Sequence, residues 1–468
     1  MSAVDAAWLR MDRQHNLMMI IGVWILDEPL DYPRFREVIA ERFMQFSRFR
    51  YRPVEELTGA YWEPDHDFDL DAHVLRVALP SPAGKVELEA LVSDLAGRRL
   101  DPRRPLWQFQ LVEDYASGAA VIMRIHHCYA DGIALARVFE ALTDGGAGPT
   151  QRPSAPDERR GRRRASAPSL PSIPGAGLAQ RVLSGGTDWL GRIVDMARHP
   201  DHAADLARHA LGASLEVLRV ASLPDDPEVP LRGPLGTHKV AAWAEPLPLG
   251  EARAVAHALG CKINDVLMAA AAGALGSYLR GLGEDTDGLV LRAAVPVNLR
   301  DPARAAGLGN QFGLVFLDLP VGIADPLERL QAVSENMAGL KDSYQPVLML
   351  GVMAALGVLG EQAERLTVDI LSTKATLVAS NVPGPPATVR IGGSRIAQLM
   401  FWVPQSGDIG LGISLLSYDG SVQFGLIADR KRVPDPALLA ARFVVEFESI
   451  VLAVLLGPWL TAERGADR

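Results

Sequence analysis

The amino-acid sequence predicts a mixed α/β protein made of two α/β regions joined by a connector. Strand-like and helix-like patterns of apolar residues alternate over residues 1–143 and again from residue 223. Between these regions, residues 145–177 are rich in Gly, Pro, Ser and Arg and cannot bury enough apolar surface to order themselves. The chain has 468 residues, 48% of them hydrophobic, which is enough for two or three domains with substantial cores.

The first region contains a short series of elements that ends at a chemically distinctive run. Apolar spacing predicts helices and strands in this order: a strand at 18–26, a helix at 31–46, a strand at 72–77, a helix at 86–100, strands at 107–113 and 120–125, and a helix at 133–142. The two adjacent strands read as a hairpin with its turn at 114–118, and the last helix ends at the run TDGG. We assign residues 1–143 to an N-terminal domain.

The connector is assigned to residues 144–222, as a partly disordered linker followed by crossover helices. Helical patterns return between residues 178 and 218, whereas the run RRGRRR at 159–164 is strongly basic. Such a run is usually part of a solvated linker. The alternative is contact with anionic lipid, which contributes about 1 kcal/mol per basic residue near a charged membrane.

The second region, residues 223–468, is predicted to form a C-terminal α/β domain. Its predicted elements are a strand at 239–244, helices at 249–259 and 265–280, strands at 289–295 and 312–319, a helix at 326–343, strands at 376–382, 396–403, 410–417 and 422–427, and a closing helix at 435–456. Gly260 is expected to close the first of these helices, and Asn264 to cap the second.

The run HHCYADG at residues 126–132 carries the strongest chemical signal in the chain. It follows the predicted strand 120–125 directly, so the two histidines lie at a strand end, where active sites are commonly built. A neutral imidazole can take a proton from a hydroxyl or a thiol near pH 7. Asp131 can lock the turn, and Gly132 permits a close approach or a positive φ. The run indicates a histidine base, with structural histidines or a metal site as alternatives.

Metal binding and thiol chemistry fit this sequence less well. Adjacent residues on a strand point to opposite faces, and the chain offers no HxxxH or CxxC set of partners. Cys128 lies inside the run, but a neighbour on a strand faces away from the histidine that a thiol nucleophile needs. We expect neither a metal nor a cysteine nucleophile. Cys128 and Cys261 are the two cysteines, and they suit a reducing cytoplasm.

Composition excludes several classes of protein. A net charge of −9 without a basic stripe argues against a nucleic-acid partner. Residues 1–8 have neither the basic start nor the apolar core of a signal peptide, so we expect none. The longest apolar run, 346–360, is shorter than the roughly 20 residues that span a bilayer. It is expected to be a buried helix, with an interfacial or tunnel-lining helix as the alternative.

An ordered set of short motifs resembles one known family along nearly the whole chain. HHxxxDG is the signature of the coenzyme A-dependent acyltransferase superfamily, which includes chloramphenicol acetyltransferase and peptide-synthetase condensation domains. The further motifs are PLW at 105–107, ND at 264–265, PVNLR at 296–300, GNQFG at 309–313 and SNVPGP at 380–385. Their order resembles the bacterial wax ester synthase/diacylglycerol acyltransferase family, and residues 5–11 and 35–50 look like its N-terminus.

The resemblance implies a fold and a set of site residues. It implies two chloramphenicol-acetyltransferase-like domains with the active-site channel between them. His127 would be the general base, His126 a structural or orienting neighbour, and Asp131 an architectural residue in preference to a triad acid. The other residues that it places in the site, with Gly132, are Asn264, Asp265, Trp107, Ser380 and Asn381.

Each of these residues also has a plainer interpretation. Asn264 followed by Asp265 is a common start for a helix, although the amide could reach the channel. Trp107 is expected to pack in the core behind the catalytic strand, with substrate contact as the alternative. Ser380 and Asn381 come at a strand end before a sharp turn, where they could rim the channel.

The implied function is transfer of a long acyl group from acyl-CoA to diacylglycerol or a fatty alcohol. Acyl-CoA would be a cosubstrate, and no cofactor is expected. The protein would be cytoplasmic and bound peripherally to the inner face of the membrane or to lipid inclusions, as a monomer or a homodimer. The enzymatic alternative is a standalone condensation-type acyltransferase with a polyketide or carrier-bound acceptor. The non-enzymatic alternative is a lipid-body surface protein.

Overall fold

The computed structural model describes residues 1–56, 59–146, 223–300, 308–340, 345–356 and 361–466. The predicted connector therefore lies outside the described residues, apart from 144–146. In the described ranges, the α-helices are α1 Ala3–Arg10, α2 Tyr32–Glu41, α3 Lys85–Ala96, α4 Gly132–Leu142, α5 Leu249–Leu259, α6 Ile263–Gly281, α7 Pro326–Leu340, α8 Gln345–Leu356, α9 Glu361–Ser372 and α10 Pro436–Ala466.

The strands are interspersed with these helices along the chain. They are β1 Met19–Leu26, β2 Tyr51–Glu56, β3 Gly59–Pro64, β4 Val74–Arg76, β5 Trp107–Tyr115, β6 Gly118–His126, β7 Lys239–Trp243, β8 Leu247–Pro248, β9 Leu291–Asn298, β10 Phe312–Leu319, β11 Leu377–Pro383, β12 Arg390–Ile391, β13 Ser394–Trp402, β14 Leu411–Tyr418 and β15 Ser421–Asp429. The predicted hairpin at 107–125 is confirmed as β5 and β6. The predicted helix at 31–46 is too long, because α2 ends at Glu41 and 3-10 turns follow.

The first sheet has the strand order β12-β13-β1-β6-β5-β4. Its centre is the antiparallel pair β1 and β6, in which Met19 lies opposite His126. One face packs on residues of α2 and α4 such as Phe35 and Val138, and the other face packs on α3 through Leu88 and Val92. Both faces of β6 are therefore buried, and the end of this strand places the two histidines in the interior of the protein.

The second sheet has the order β10-β9-β11-β14-β15-β7, with β8 beside β15. One face is covered by helices α5, α6, α7 and α10. Small residues of α6 allow this close packing, since a Cβ added to Gly276 would lie 2.1 Å from the carbonyl oxygen of Val321. Among the described helices, no single one is long and apolar enough to cross a membrane, although α5 and α6 pass together as a pair bent by 104°. Most of α6 is buried in this core.

The two sheets are linked because two strands from the C-terminal region of the chain are part of the first sheet. β12 and β13 lie within residues 223–468 but complete the first sheet, where Trp24 of β1 pairs with Leu399 of β13. Sheet membership thus crosses the boundary predicted at residue 223, and the division of the chain into domains at 143 and 222 stays a prediction. The crossing holds the two sheets together around the cavity described next.

Candidate active site

His127 is the first residue after β6, and its position is fixed from several sides. Its backbone N–H donates to the carbonyl oxygen of Met18 at 2.7 Å. The imidazole is 3% exposed and stacks on Trp8 of α1, with ring centroids 4.1 Å apart. Phe312 of β10 lies at 5.5 Å on the same ring. The residue before β1, the N-terminal helix and β10 of the second sheet therefore set the orientation of this side chain.

His127 opens onto a cavity that lies against one face of the second sheet. The cavity has about 1240 Å³ of empty space, part of it open to solvent. Alternate residues of three strands line it, as expected for one face of a sheet: Ala294, Pro296 and Asn298 of β9, Phe312, Leu314 and Phe316 of β10, and Val378, Ser380 and Val382 of β11. Helices α8 and α9 contribute Met349, Met353, Leu356, Val368, Leu371 and Ser372. The wall is mainly apolar.

The buried setting of His127 decides its charge. Burial lowers the pKa of His127 to about 4, although the Asp131 carboxylate acts in the opposite direction. The imidazole is therefore neutral at pH 7 and can accept a proton. Its Nδ1 is fully buried and has no hydrogen-bond partner. Its Nε2 is not fully buried. Nε2 is thus the ring nitrogen with access to the cavity.

His126 faces the other side of the strand end. Its Nδ1 accepts a hydrogen bond from the backbone N–H of Cys128 at 3.2 Å, and its Nε2 lies 3.9 Å from Asp12 Oδ1. Burial lowers the pKa of this histidine as well, to about 3. The cavity next to it is lined by four charged residues, Arg10, Asp12, Glu55 and Arg99, as well as by apolar ones.

Asp131 ties the HHCYADG turn to the second half of the chain. One carboxylate oxygen accepts from the backbone N–H of Ala134 at 2.9 Å and caps α4. The other accepts from Arg300 at 2.6 Å and from the backbone N–H of Gln311 at 2.9 Å. Both oxygens are engaged away from the His127 ring, which supports the architectural interpretation over a triad acid.

Gly132 is the first residue of α4 and forms part of the cavity wall. Its backbone is not in the left-handed region, so of the two alternatives that the sequence left open, a positive φ does not apply. A Cβ at this position would meet nothing within 4 Å. The glycine therefore leaves open space beside His127, where a side chain would project into the cavity.

The expected placement of Asn264 is wrong. Helix α6 begins at Ile263 with Lys262 as its N-cap, so Asn264 lies inside the first turn, exposed and outside the cavity. Asp265 is the residue that closes the cap, because its carboxylate accepts from the backbone N–H of Lys262 at 3.0 Å. It also accepts from Ser334 at 2.9 Å. Asp265 therefore has a structural role at this helix start and does not line the cavity, and the substrate contact that the sequence suggested stays a prediction.

Trp107 is also a core residue and not part of the cavity wall. Its indole N–H donates to the carbonyl oxygen of Phe49 at 2.7 Å, and its rings lie within 6.4 Å of Phe43, Phe49 and Phe109. The core interpretation that the sequence favoured is confirmed, and the structure gives no support to the alternative of substrate contact. Cys128 is fully buried, and burial raises the pKa of its thiol, which opposes formation of a thiolate.

Ser380 and Asn381 do lie at the cavity, as the sequence suggested. Ser380 is 1% exposed and shares the cavity-facing side of β11 with Val378 and Val382. Its hydroxyl has no hydrogen-bond partner, and neither does the buried Nδ2 of Asn381. Buried polar groups without partners are uncommon, so this part of an apolar wall can bind a polar group.

Sequence reasoning missed four residues that support His127: Asp5, Trp8, Arg300 and Asn310. The motifs that suggested the family contain Arg300 and Asn310, and the opening segment contains Asp5 and Trp8. Their positions were therefore marked in the sequence, but their contacts were not. Within the part of the chain that the structure describes, no group of three or more His, Cys, Asp or Glu side chains could hold a metal ion.

Comparison with solved structures shows which known fold this chain adopts. The structure is similar to the first condensation domain of the calcium-dependent antibiotic synthetase, with a TM-score of 0.58 at 16% identity over 97% of this chain and 95% of that one. It is also similar to a wax ester synthase/diacylglycerol acyltransferase from Marinobacter aquaeolei VT8, with a TM-score of 0.66 at 21% identity over 96% and 98% of the two chains. These similarities show the two-domain acyltransferase fold.

Sequence comparison is more specific. Residues 1–267 match the wax ester synthase/diacylglycerol acyltransferase catalytic domain, and residues 308–451 match the C-terminal domain of the same family. A relative in Mycobacterium tuberculosis, named as a probable diacylglycerol O-acyltransferase, is 28% identical over all of this chain and 98% of its own length. One from Mycobacterium bovis, named for the same activity, is 31% identical over 90% of this chain and 83% of its own. The chain belongs to this family of acyltransferases.

Proposed function

We propose that this protein transfers a long acyl group from acyl-CoA to the hydroxyl of a lipid acceptor, with His127 as the general base. The observation that carries the proposal is the neutral His127, whose Nε2 opens onto a large and mainly apolar cavity. Burying an acyl chain in such a cavity is worth about 0.8 kcal/mol per methylene. Transfer of a long acyl chain, which agrees with the name of the family, fits this apolar wall.

The reaction needs only one protein proton carrier. Nε2 of His127 accepts the proton of the acceptor hydroxyl while that oxygen forms a bond to the thioester carbonyl carbon. When the tetrahedral intermediate collapses, the C–S bond breaks and the departing sulfur takes the proton back from His127. The products are an ester and free CoA, and the imidazole is neutral again. The mainly apolar wall disfavours the competing attack by water.

The acceptor that we propose is diacylglycerol in preference to a simple fatty alcohol. Ser380 and Asn381 supply a hydroxyl and an amide without protein partners in the cavity wall. A fatty alcohol has no polar group apart from the reacting hydroxyl, whereas diacylglycerol carries two ester carbonyls that accept hydrogen bonds. The names of the mycobacterial relatives point to the same acceptor.

We also propose that the protein works at a lipid surface, on the inner face of the membrane or on lipid inclusions. Helix α9 supports this, since Val368 and Leu371 line the cavity while Leu366 and Ile370 on the same helix are 63% and 51% exposed. A helix that places apolar residues both at the cavity and at the protein surface can contact lipid beside the cavity. Flotation with phosphatidylglycerol vesicles should recover the protein, and an L366E/I370E variant that floats equally well would contradict this contact.

The test of the reaction is an assay of the full chain with palmitoyl-CoA and no carrier protein. Release of thiol that depends on added 1,2-dipalmitoylglycerol or hexadecanol, together with the matching ester product, is the expected result. Release without an acceptor would indicate hydrolysis, and no release would contradict acyl-CoA as the donor and favour a carrier-bound one.

The acceptor proposal has its own variants. S380A and N381A should lower kcat/KM for dipalmitoylglycerol by roughly 2- to 12-fold, the usual worth of one hydrogen bond, and leave hexadecanol unchanged. Ser414 pairs with Ser380 on the neighbouring strand, and its hydroxyl is also buried without a partner, but it lies outside the cavity wall. S414A is therefore the matched control. Equal losses with both acceptors would contradict ester recognition.

A further inference from the structure

An amide side chain lies directly behind His127 and holds its backbone. Asn310, in the segment that leads into β10, donates from Nδ2 to the carbonyl oxygen of His127 at 2.9 Å. The same Nδ2 donates to Asp5 Oδ1 at 2.8 Å, and the backbone N–H of Asn310 donates to that oxygen at 3.1 Å. Asp5, Asn310 and His127 are 1%, 6% and 3% exposed. Three distant parts of the chain thus meet in one buried network.

The partners of Asn310 fix which way its amide points. Both groups that contact one amide atom, a carboxylate and a carbonyl, are acceptors only, so that atom must be the nitrogen. The other atom, Oδ1, is therefore an acceptor, and it is buried without a partner. Asp5 anchors this orientation, and Arg48 accompanies the Asp5 charge at 3.6 Å.

The unpaired oxygen has a chemical complement on His127, although no hydrogen bond joins the two atoms in the structure. His127 Nδ1 is also buried without a partner, and in a neutral imidazole one nitrogen donates while the other accepts. The Asn310 side chain and the backbone of His127 both raise the pKa of this histidine, against the larger effect of burial. A proton on Nδ1 would satisfy Asn310 Oδ1 and leave the lone pair of Nε2 toward the cavity.

We propose that Asn310 is the positioning residue of His127: its Oδ1 holds the Nδ1–H tautomer, and Asp5 locks the amide in place. This inference rests on the proposed role of His127 as base. It assigns to an amide the task that a carboxylate performs in serine proteases. Asp131 then has no part in orienting the His127 ring, and its carboxylate makes the architectural contacts with Arg300.

The test compares two substitutions at Asn310 with a matched buried asparagine. N310A should lower kcat with palmitoyl-CoA and dipalmitoylglycerol by between about 10-fold and 10⁴-fold, the upper figure being the cost of the wrong tautomer in serine proteases. The KM for palmitoyl-CoA should stay within about 3-fold. Asn16 is 1% exposed and donates to the carbonyl oxygens of Gly407 and Ile409, so N16A controls for the loss of a buried amide.

A second variant gives a readout that a purely structural role would not move. N310D keeps an acceptor oxygen and adds negative charge beside His127, where Asp5, Arg48, Asp131 and Arg300 are the charged groups nearby. A negative charge favours imidazolium, so the acid limb of kcat/KM should move to higher pH. Nitrogen-15 spectra of the wild-type protein should show His127 protonated at Nδ1.

The outcomes separate this inference from the proposed function. Loss in N310A no greater than in N16A, an unmoved acid limb in N310D, or a proton on Nε2 of His127 would each overturn the positioning role while leaving acyl transfer intact. A wild-type protein that transfers no acyl group would instead overturn the proposed function.

Discussion

His126 and His127 are adjacent in sequence and almost equally buried, yet their two rings meet different environments. His127 faces a mainly apolar cavity through Nε2, while His126 faces a cavity that contains Arg10, Asp12, Glu55 and Arg99. His126 Nδ1 already accepts a backbone hydrogen bond, so in the neutral ring its proton is on Nε2. The ring nitrogen of His127 that faces the cavity, Nε2, accepts no such backbone hydrogen bond.

This comparison shows what marks a base in a buried site. Burial lowers the pKa of both histidines, to about 3 for His126 and about 4 for His127, so both are neutral at pH 7. Ionisation alone therefore does not distinguish them. The distinction lies in which nitrogen keeps a free lone pair and in whether the adjoining space suits a lipid.

Replacement of Asp131 is the strongest way to test the architectural part of the comparison. D131A removes the carboxylate that accompanies buried Arg300, and loss of one partner of a buried ion pair costs about 3–5 kcal/mol in the free energy of unfolding. Chemical denaturation measures this loss. D131N, which keeps the cap of α4, should retain most of kcat. A fully stable D131N with kcat lowered by about 10⁴-fold would mean that Asp131 serves His127 as a triad acid.

Gly132 tests whether the reaction takes place on the His127 side. G132L places a side chain in the open space beside His127 and should lower kcat/KM by up to about 10²-fold, because small displacements of a substrate are costly. Gly250 is the matched control, since it lies in the first turn of α5, and a Cβ there also meets nothing within 4 Å. Equal activity of G132L and G250L would place the substrate elsewhere.

The pH dependence of kcat/KM sharpens the comparison further. A histidine base works in its neutral form, and burial lowers the pKa of His127 to about 4 in place of the ordinary 6.5. Activity should therefore stay level from pH 8 down to about pH 5 and fall only as the pH approaches 4. The rate should be followed with dipalmitoylglycerol over this range. An acid limb centred near pH 6.5 would show that the base is not desolvated in the free enzyme.

Much of the N-terminal half of the site was predictable from the sequence. The strand that ends at His126 and the helix that starts at Gly132 follow from apolar spacing, and the HHxxxDG run marks the turn between them. Ser380 and Asn381 were predicted to lie at the channel because the sequence there indicates a strand followed by a sharp turn. These features depend on local patterns, which a single sequence displays.

The errors concern contacts that local patterns do not encode. Asn264 looked like a helix cap, but α6 begins at Ile263 with Lys262 as its N-cap, and Asp265 completes that cap. The pairing of β13 with β1 joins residues almost 380 positions apart, for example Val23 and Met400. Asp5 and Asn310 are 305 positions apart in the sequence, and only the folded chain brings them to His127.

The most direct test sets the two histidines against each other in one assay. H127A and H126A should be purified, checked for equal thermal unfolding, and assayed for kcat with palmitoyl-CoA and dipalmitoylglycerol. Loss of a general base predicts a decrease of about 10²- to 10⁴-fold for H127A, with H126A much closer to the wild type. Equal losses in two folded variants, or a larger loss in H126A, would contradict the assignment of His127 as the base.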